Sequence, residues 1–363
     1  MQVKRKTITK KRLTQLSDPY KITKAANLVY VSDNTPGITR IKCRGGFTYR
    51  YRNKTITDAI TLQRIKSLVI PPAWKNVWIC PKINGHIQAT GFDTVNRKQY
   101  RYHPTWNLLR NHTKYSNMYS FGQVLPAIRT RIHEDLSLRG LCMNKVLAAA
   151  ISIMQCTCMR IGSNIYEKLY GSFGLTTLKD KHVKINGIKV KFSFKGKKGV
   201  YHNLSLKSRK LANIIKQCRD IPGKELFQFY DDDGTRHAID SGMLNNYIKE
   251  ISGGSFTAKD FRTWAGSVYA ITAFRELGAC STVAETKKNI VEALDKVAAQ
   301  LGNTRAVCKK YYVHPAIIEH YTNNTLQKYL AQPKEDCGNE VGLHVDEQLL
   351  MDILQHDSGT ITI

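Results

Sequence analysis

Four short stretches of this chain hold residue types and spacings that could do chemistry. Arg160 stands directly after an apolar helical run and before Ile161-Gly162-Ser163. Lys197 lies in the turn Lys195-Gly196-Lys197-Lys198-Gly199, whose glycines let backbone approach a ligand closely. Lys259 and Arg262, three apart within Thr257-Ala258-Lys259-Asp260-Phe261-Arg262-Thr263-Trp264, share one helix face, and Thr257 with Asp260 forms a capping box that starts the helix. The fourth stretch runs from Leu301-Gly302-Asn303-Thr304-Arg305 to Lys309-Lys310-Tyr311-Tyr312-Val313-His314-Pro315. Each has an ordinary explanation: a cation complementing a helix dipole, a solvated turn lysine, an exposed basic stripe, a buried tyrosine ring. Their order nevertheless suits attack on a phosphodiester.

The elements that must position them follow from periodicity. Leu147, Ala150, Ile151, Met154 and Cys158 recur at helical spacing, as do Phe261, Trp264, Ala265 and Val268. Gly302 ends one helix, Thr304 can cap the next, and Pro315 limits it. If 305–312 is helical, Tyr312 shares a face with Arg305, Cys308 and Lys309, while Val307 and Tyr311 lie on the apolar side. Val183, Ile185, Ile188, Val190, Phe192 and Phe194 alternate around Asn186-Gly187, a type I′ hairpin signal, and a third strand starts near Val200. The lysine-rich second turn therefore projects from the tip of a small sheet.

Before residue 106 the pattern differs. Short β-branched or aromatic segments at 27–31, 46–52, 77–80, 86–90 and 99–102, broken by Gly and Pro, predict a β-rich domain with one helix over 58–67. Its last segment interleaves Gln99, Tyr100 and Tyr102 with Arg97, Lys98 and Arg101, a pattern able to meet base edges and phosphates, although alternating aromatics on a strand more often serve a core. The fold class expected is α+β: a basic arm over 1–25, the β-rich domain over 26–105, a mainly α domain over 106–331 with a three-stranded sheet, and an acidic tail over 332–363.

Composition narrows the partner. The 363 residues carry a formal charge of +28, which points to a polyanion, nucleic acid first. Residues 333–363 hold seven carboxylates against one lysine, so the rest of the chain is more basic still. That tail either competes with DNA for the basic surface or is a solvated appendage. The longest near-apolar run, 146–154, is far short of the ~20 residues of a membrane span, and the start Met-Gln-Val-Lys-Arg-Lys lacks a secretory core, so an intracellular protein is expected. Nine cysteines without two pairs at zinc spacing read as reduced thiols. Asp231-Asp232-Asp233-Gly234 lacks the spaced oxygens of a calcium loop and reads as a turn. No metal and no cofactor are expected.

On Arg160, Lys197, Lys259-x-x-Arg262 and the stretch from Gly302 to Tyr312, together with Ile70-Pro71-Pro72-Ala73-Trp74, Gly85-His86-Ile87-Gln88-Ala89-Thr90-Gly91 and Arg97-Lys98-Gln99-Tyr100-Arg101-Tyr102-His103, the sequence resembles the small type IB DNA topoisomerases of poxviruses and bacteria over roughly residues 25–330. The resemblance implies a monomer clamping double-stranded DNA, with contacts from Lys259, Arg97, Lys98, Gln99, Tyr100 and Tyr102. It implies Tyr312 as nucleophile and Arg160, Arg262 and Asn303 on the non-bridging phosphate oxygens. Lys197 would be the acid for the 5′ oxygen, although Lys195 and Lys198 share its turn. The product would be a 3′-phosphotyrosyl link that is resealed without ATP or metal. The poxvirus enzymes carry histidine where this chain has Asn303, as bacterial relatives do. Such an enzyme belongs in a bacterial cytoplasm or nucleoid, or in a large DNA virus particle and its host cell. A tyrosine recombinase is the nearest alternative, but it usually carries His-x-x-Arg at the Lys259 step and a helical amino-terminal domain. A non-catalytic basic DNA-binding protein is the alternative from another class.

Overall fold

The computed structural model describes residues 7–9, 18–331, 341–357 and 360–362. Most of the basic arm and residues 332–340, 358–359 and 363 of the acidic tail lie outside them. The chain forms two compact units: residues up to 117 with the last strand, and residues 118–357.

In the first unit β1 (Thr7–Thr9) and helix α1 (Pro19–Ala25), capped by Asp18, precede β2 (Ile38–Cys43), β3 (Gly46–Tyr51), β4 (Lys54–Thr55), α2 (Ala59–Ser67), β5 (Lys75–Ile79), β6 (Ile87–Phe92) and β7 (Lys98–Tyr102). The strands form one antiparallel sheet in the order β4-β3-β2-β5-β6-β7. Ile38, Val77, Ile79 and Ala89 of the sheet pack with Ile65 of α2 in a core, and Asp58 caps α2 through the Thr61 N–H. The expected strand at 27–31 is corrected to a single bridge between Val29 and Gly85, because Asn27 takes a positive φ that breaks extended backbone. The central strand β2 escapes the periodicity reading because only Ile38 of its six residues is fully buried.

Helix α3 (Pro104–Asp135) begins in the first unit, where Trp106 and Leu109 join Ile22, Ala26 and Leu28. The division between units therefore falls later than the change of sequence pattern after residue 105. There follow α4 (Met143–Thr157), α5 (Asn164–Tyr170), β8 (Val183–Asn186), β9 (Lys189–Lys195), β10 (Tyr201–Lys207), α6 (Arg209–Asp220), β11 (Gln228–Tyr230), β12 (Arg236–Ala238), α7 (Ser241–Ser252), α8 (Ala258–Leu277), α9 (Val283–Leu301), α10 (Arg305–Tyr311), α11 (Pro315–Thr322), α12 (Leu326–Leu330) and α13 (Val345–His356). A last strand, β13 (Thr360–Thr362), pairs antiparallel with β1.

Helix α4 is buried around most of its circumference, Val146 to Ile151 without a break, so it is the axis of the second unit. The sheet β10-β9-β8 alternates as expected, with Val190, Phe192 and Phe194 inward. Its first turn departs from expectation: the two loop residues are Gly187 and Ile188, and only Gly187 has positive φ (58°). That is the type II′ pattern, which needs glycine at the first loop position alone.

The acidic segment is also corrected in part. Residues 345–356 are helical, and the buried Leu349, Leu350 and Ile353 make α13 part of the second unit's core. None of the described helices is long and apolar enough to cross a membrane.

Candidate active site

Arg160 is held by the way α4 stops. Cys158 closes that helix in the left-handed region (φ 51°), and Gly162 (φ 99°) turns the chain back. Gly174 packs so closely on Gly162 that a Cβ there would lie 2.5 Å from the Gly162 nitrogen. The Leu175 N–H donates to the Arg160 carbonyl at 2.8 Å, and the Thr176 N–H and hydroxyl donate to Ile161 at 2.8 and 2.9 Å. The side chain does not return to its own helix end, as a dipole role would require. Its Nη2 donates to the Gly302 carbonyl at 3.2 Å and to Asn303 Oδ1. Burial, and then the Arg262 charge, push its guanidinium below the usual arginine range.

Arg262 overturns the exposed-stripe explanation, since it is 5% exposed while Lys259, one turn away, is exposed. The capping box forms, the Thr257 N–H and hydroxyl both donating to Asp260 at 2.8 Å, and it starts α8 so that Arg262 points inward. Its Nη1 donates to the Cys158 carbonyl and its Nη2 to the Leu301 carbonyl at 2.8 Å, tying the ends of α4 and α9 together.

Tyr312 follows α10 as its cap, with φ −127° and ψ −28°, rather than continuing the helix. The next turn of α8 grips its backbone. A Cβ on Gly266 would sit 2.9 Å from the Tyr312 carbonyl oxygen, and the Ser267 hydroxyl donates to that oxygen at 3.2 Å while accepting the His314 N–H at 3.0 Å. The Arg262 guanidinium carbon then lies 5.5 Å from the centre of the Tyr312 ring. Two expectations fail here. Tyr311 is not on an apolar side but 40% exposed, with Lys310 over its ring. Arg305 is not part of a basic face around Tyr312, because its Nε and Nη2 both bind Asp295 of α9 at 2.6 Å. Gly266 and Ser267 escaped sequence reasoning because small residues at helical spacing look like ordinary packing.

Arg160, Asn303, Arg262 and Tyr312 are thus brought together from four elements. Within this group Arg262 Nε and Asn303 Nδ2 are buried donors without a hydrogen-bond partner among the described residues. An unpaired buried donor costs about 1–3 kcal/mol. The Cys308 thiol on the inner side of α10 is pushed up to about 11 by burial, against the pull of the two arginines, and so stays neutral.

Lys197 opens a 3-10 turn between β9 and β10; it is exposed and, among the described residues, pairs with no acid. Gly199 has positive φ (78°), but Gly196 does not (φ −94°). What Gly196 admits is the ring of His202 from β10, since a Cβ there would meet the ring at 2.5 Å. The expected close approach to a ligand is therefore, at Gly196, an approach to a side chain. His202 carries no motif, and no signal in the sequence singles it out.

In the first unit the β7 residues are already engaged. Arg97 and Gln99 both hold Asp93, at 2.8 and 3.0 Å, and Lys98 pairs with Asp33 at 2.6 Å. Tyr102 packs beside the Trp106 cluster and stacks on Tyr100 at 5.7 Å, which leaves Tyr100 the more open ring.

Residues 98–337 match the family described as eukaryotic DNA topoisomerase I, catalytic core, and residues 46–93 match bacterial DNA topoisomerase IB, N-terminal domain. The chain is 33% identical over 327 residues to the DNA topoisomerase 1B of Acanthamoeba polyphaga mimivirus, covering 88% of this chain and 96% of that protein. It is 24% identical over 231 residues to the DNA topoisomerase 1B of Vaccinia virus (strain Copenhagen), covering 63% and 70%. With the DNA topoisomerase 1 of Rabbit fibroma virus (strain Kasza) it shares 21% over 301 residues, 77% and 90% of the two chains.

Proposed function

The chain belongs to the type IB DNA topoisomerase family and is a DNA topoisomerase, and from that premise we propose that it relaxes supercoiled duplex DNA through a transient bond between Tyr312 and the 3′ end of one strand. The phenol oxygen attacks phosphorus as its proton leaves to water, the P–O5′ bond breaks, and Lys197 protonates the departing 5′ oxygen. After the duplex has turned, the 5′ hydroxyl attacks the phosphotyrosyl link and the tyrosine leaves. Bond energy is conserved, so neither ATP nor a metal ion is required.

The observation that carries this reading is the convergence of Arg160, Asn303 and Arg262 beside the Tyr312 ring, with two buried donors still unpaired. Preorganised donors of this kind act on the charge that builds on the non-bridging oxygens in the transition state. For the DNA contacts we propose Lys259 and Tyr100, which are exposed, and Arg97, Lys98, Gln99 and Tyr102, which must exchange their present partners for the duplex.

Relaxation of both positively and negatively supercoiled plasmid in EDTA without ATP tests the reaction. A detergent-trapped covalent adduct tests the nucleophile: Tyr312→Phe abolishes it and Tyr311→Phe retains it. Loss of the adduct from Tyr311→Phe alone would move the nucleophile by one residue.

A further inference from the structure

His202 stands in β10, across the ladder from Phe194, on which its ring stacks at 5.2 Å between centroids and 24° between planes. The imidazole edge is wedged between two glycines from different parts of the chain. A Cβ on Gly196 would lie 2.5 Å from the ring's Cδ2, and a Cβ on Gly302 would lie 2.4 Å from its Cε1. Gly302 has a second reason to be glycine, its positive φ (58°), but Gly196 at φ −94° has none except the ring. Gly196 precedes Lys197. Gly302 precedes Asn303, and its carbonyl accepts from Arg160 Nη2 at 3.2 Å.

We propose that His202 is a positioning residue, a rigid spacer that sets the separation between the turn carrying Lys197 and the turn carrying Asn303. The inference rests on the assignment of Lys197 as the acid for the 5′ oxygen. Among the described residues His202 makes no side-chain hydrogen bond, so it contributes shape rather than a proton path. Burial, and then the charges of Arg160 and Arg262, hold its imidazole below the usual histidine range and keep it neutral. A neutral ring can sit beside two guanidinium groups without repelling them. The hairpin tip is closed by backbone bonds, Gly196 N–H to Val200 O at 2.7 Å and Gly199 N–H to Gly196 O at 3.1 Å, and the Phe173 N–H ties the Lys195 carbonyl at its base to the segment beside Arg160 at 2.8 Å; the ring of His202 is the contact that registers the tip against the turn carrying Asn303.

The test is single-turnover cleavage of ordinary DNA and of DNA with a 5′-bridging sulfur, whose thiolate leaves without needing an acid. Misplacing a catalytic group by about 1 Å costs on the order of 100-fold. His202→Ala and Gly196→Ala are each expected to slow cleavage of ordinary DNA by about 10- to 100-fold, and sulfur to restore His202→Ala to near the parent rate, which also demonstrates that the variant is folded. The double variant is expected to cleave ordinary DNA faster than the product of the two single effects allows, because the new methyl group occupies space the ring has left. If Lys197→Ala is rescued by sulfur and His202→Ala is not, or if the double variant is merely multiplicative, the spacer role is overturned while the role of Lys197 stands. If Lys197→Ala is not rescued, the acid assignment fails and this inference fails with it.

Discussion

Asn303 shows how much a single amide can be asked to do. Its Oδ1 accepts from Arg160 while its Nδ2 remains an unpaired buried donor, so it faces a cation with one end and is free to face an anion with the other. A neutral imidazole can reproduce both roles, accepting at one ring nitrogen and donating at the other. A carboxylate cannot, because it keeps the acceptor, loses the donor and adds a negative charge beside the phosphate. Asn303→His is therefore expected to cleave DNA within about tenfold of the parent, whereas Asn303→Asp loses on the order of 100- to 1000-fold, the scale of one oxyanion donor removed. Measured cleavage rates that fall equally in both variants would show that the residue's role is not this paired hydrogen bonding.

Elements carry the next level of organisation, and α13 is the one whose role changed most between sequence and structure. Glu347 in its first turn is buried against Arg129 of α3, with two bonds at 2.8 and 2.9 Å, and accepts the Trp264 indole N–H of α8 at 2.8 Å. Burial pushes its carboxyl up, but the Arg129 and Trp264 bonds outweigh that and hold it below the usual range. Asp346 beside it pairs with Arg275 of α8. Two of the tail's carboxylates are thus structural, and two positions before Trp264 on the same helix stands Arg262. Breaking a buried pair by removing one partner costs about 3–5 kcal/mol. Urea unfolding of Glu347→Ala is expected to show a loss of that order, and removal of residues 333–363, which also deletes Leu349, Leu350 and Ile353 from the core, a larger one. Unchanged stability in both would mean that α13 contributes nothing to the unit.

At the scale of the whole molecule, protons act on both units in the same direction. Burial depresses His86 and His103 in the first unit and His182 and His202 in the second, with neighbouring cations adding to the effect on the last two. A histidine whose folded pKa lies below its unfolded value of 6.5 contributes stability that is complete above that value and is lost as pH falls below it, because the unfolded chain takes up the proton first. Carboxylates held low, such as Glu347 and Asp33, add a second loss only below about pH 4.5. Calorimetry is expected to show a Tm that is level between about pH 7 and 8, declines from pH 6.5 to 5, and drops again in stronger acid. A flat profile between pH 7.5 and 5 would mean that these imidazoles titrate as they do in the unfolded chain.

What the sequence determined alone is local chemistry and local period. The alternation of Val190, Phe192 and Phe194 marks a strand with one buried face, the capping box at Thr257 starts α8, and Gly302 stops α9, because these depend on side chains within a few residues of one another. The residues proposed for the site, Arg160, Lys197, Arg262, Asn303 and Tyr312, each had an ordinary local explanation, and the family resemblance rather than local spacing singled them out. The tertiary structure decided everything that depends on which ends meet. Arg262 became a buried tie between Cys158 and Leu301 instead of an exposed charge, and Arg305 was drawn to Asp295 and away from Tyr312. His202 was placed between Gly196 and Gly302, and twelve residues of an acidic tail became a helix packed on the core. Each of these rests on contacts between different elements, which carry no local periodicity, so only packing could select them.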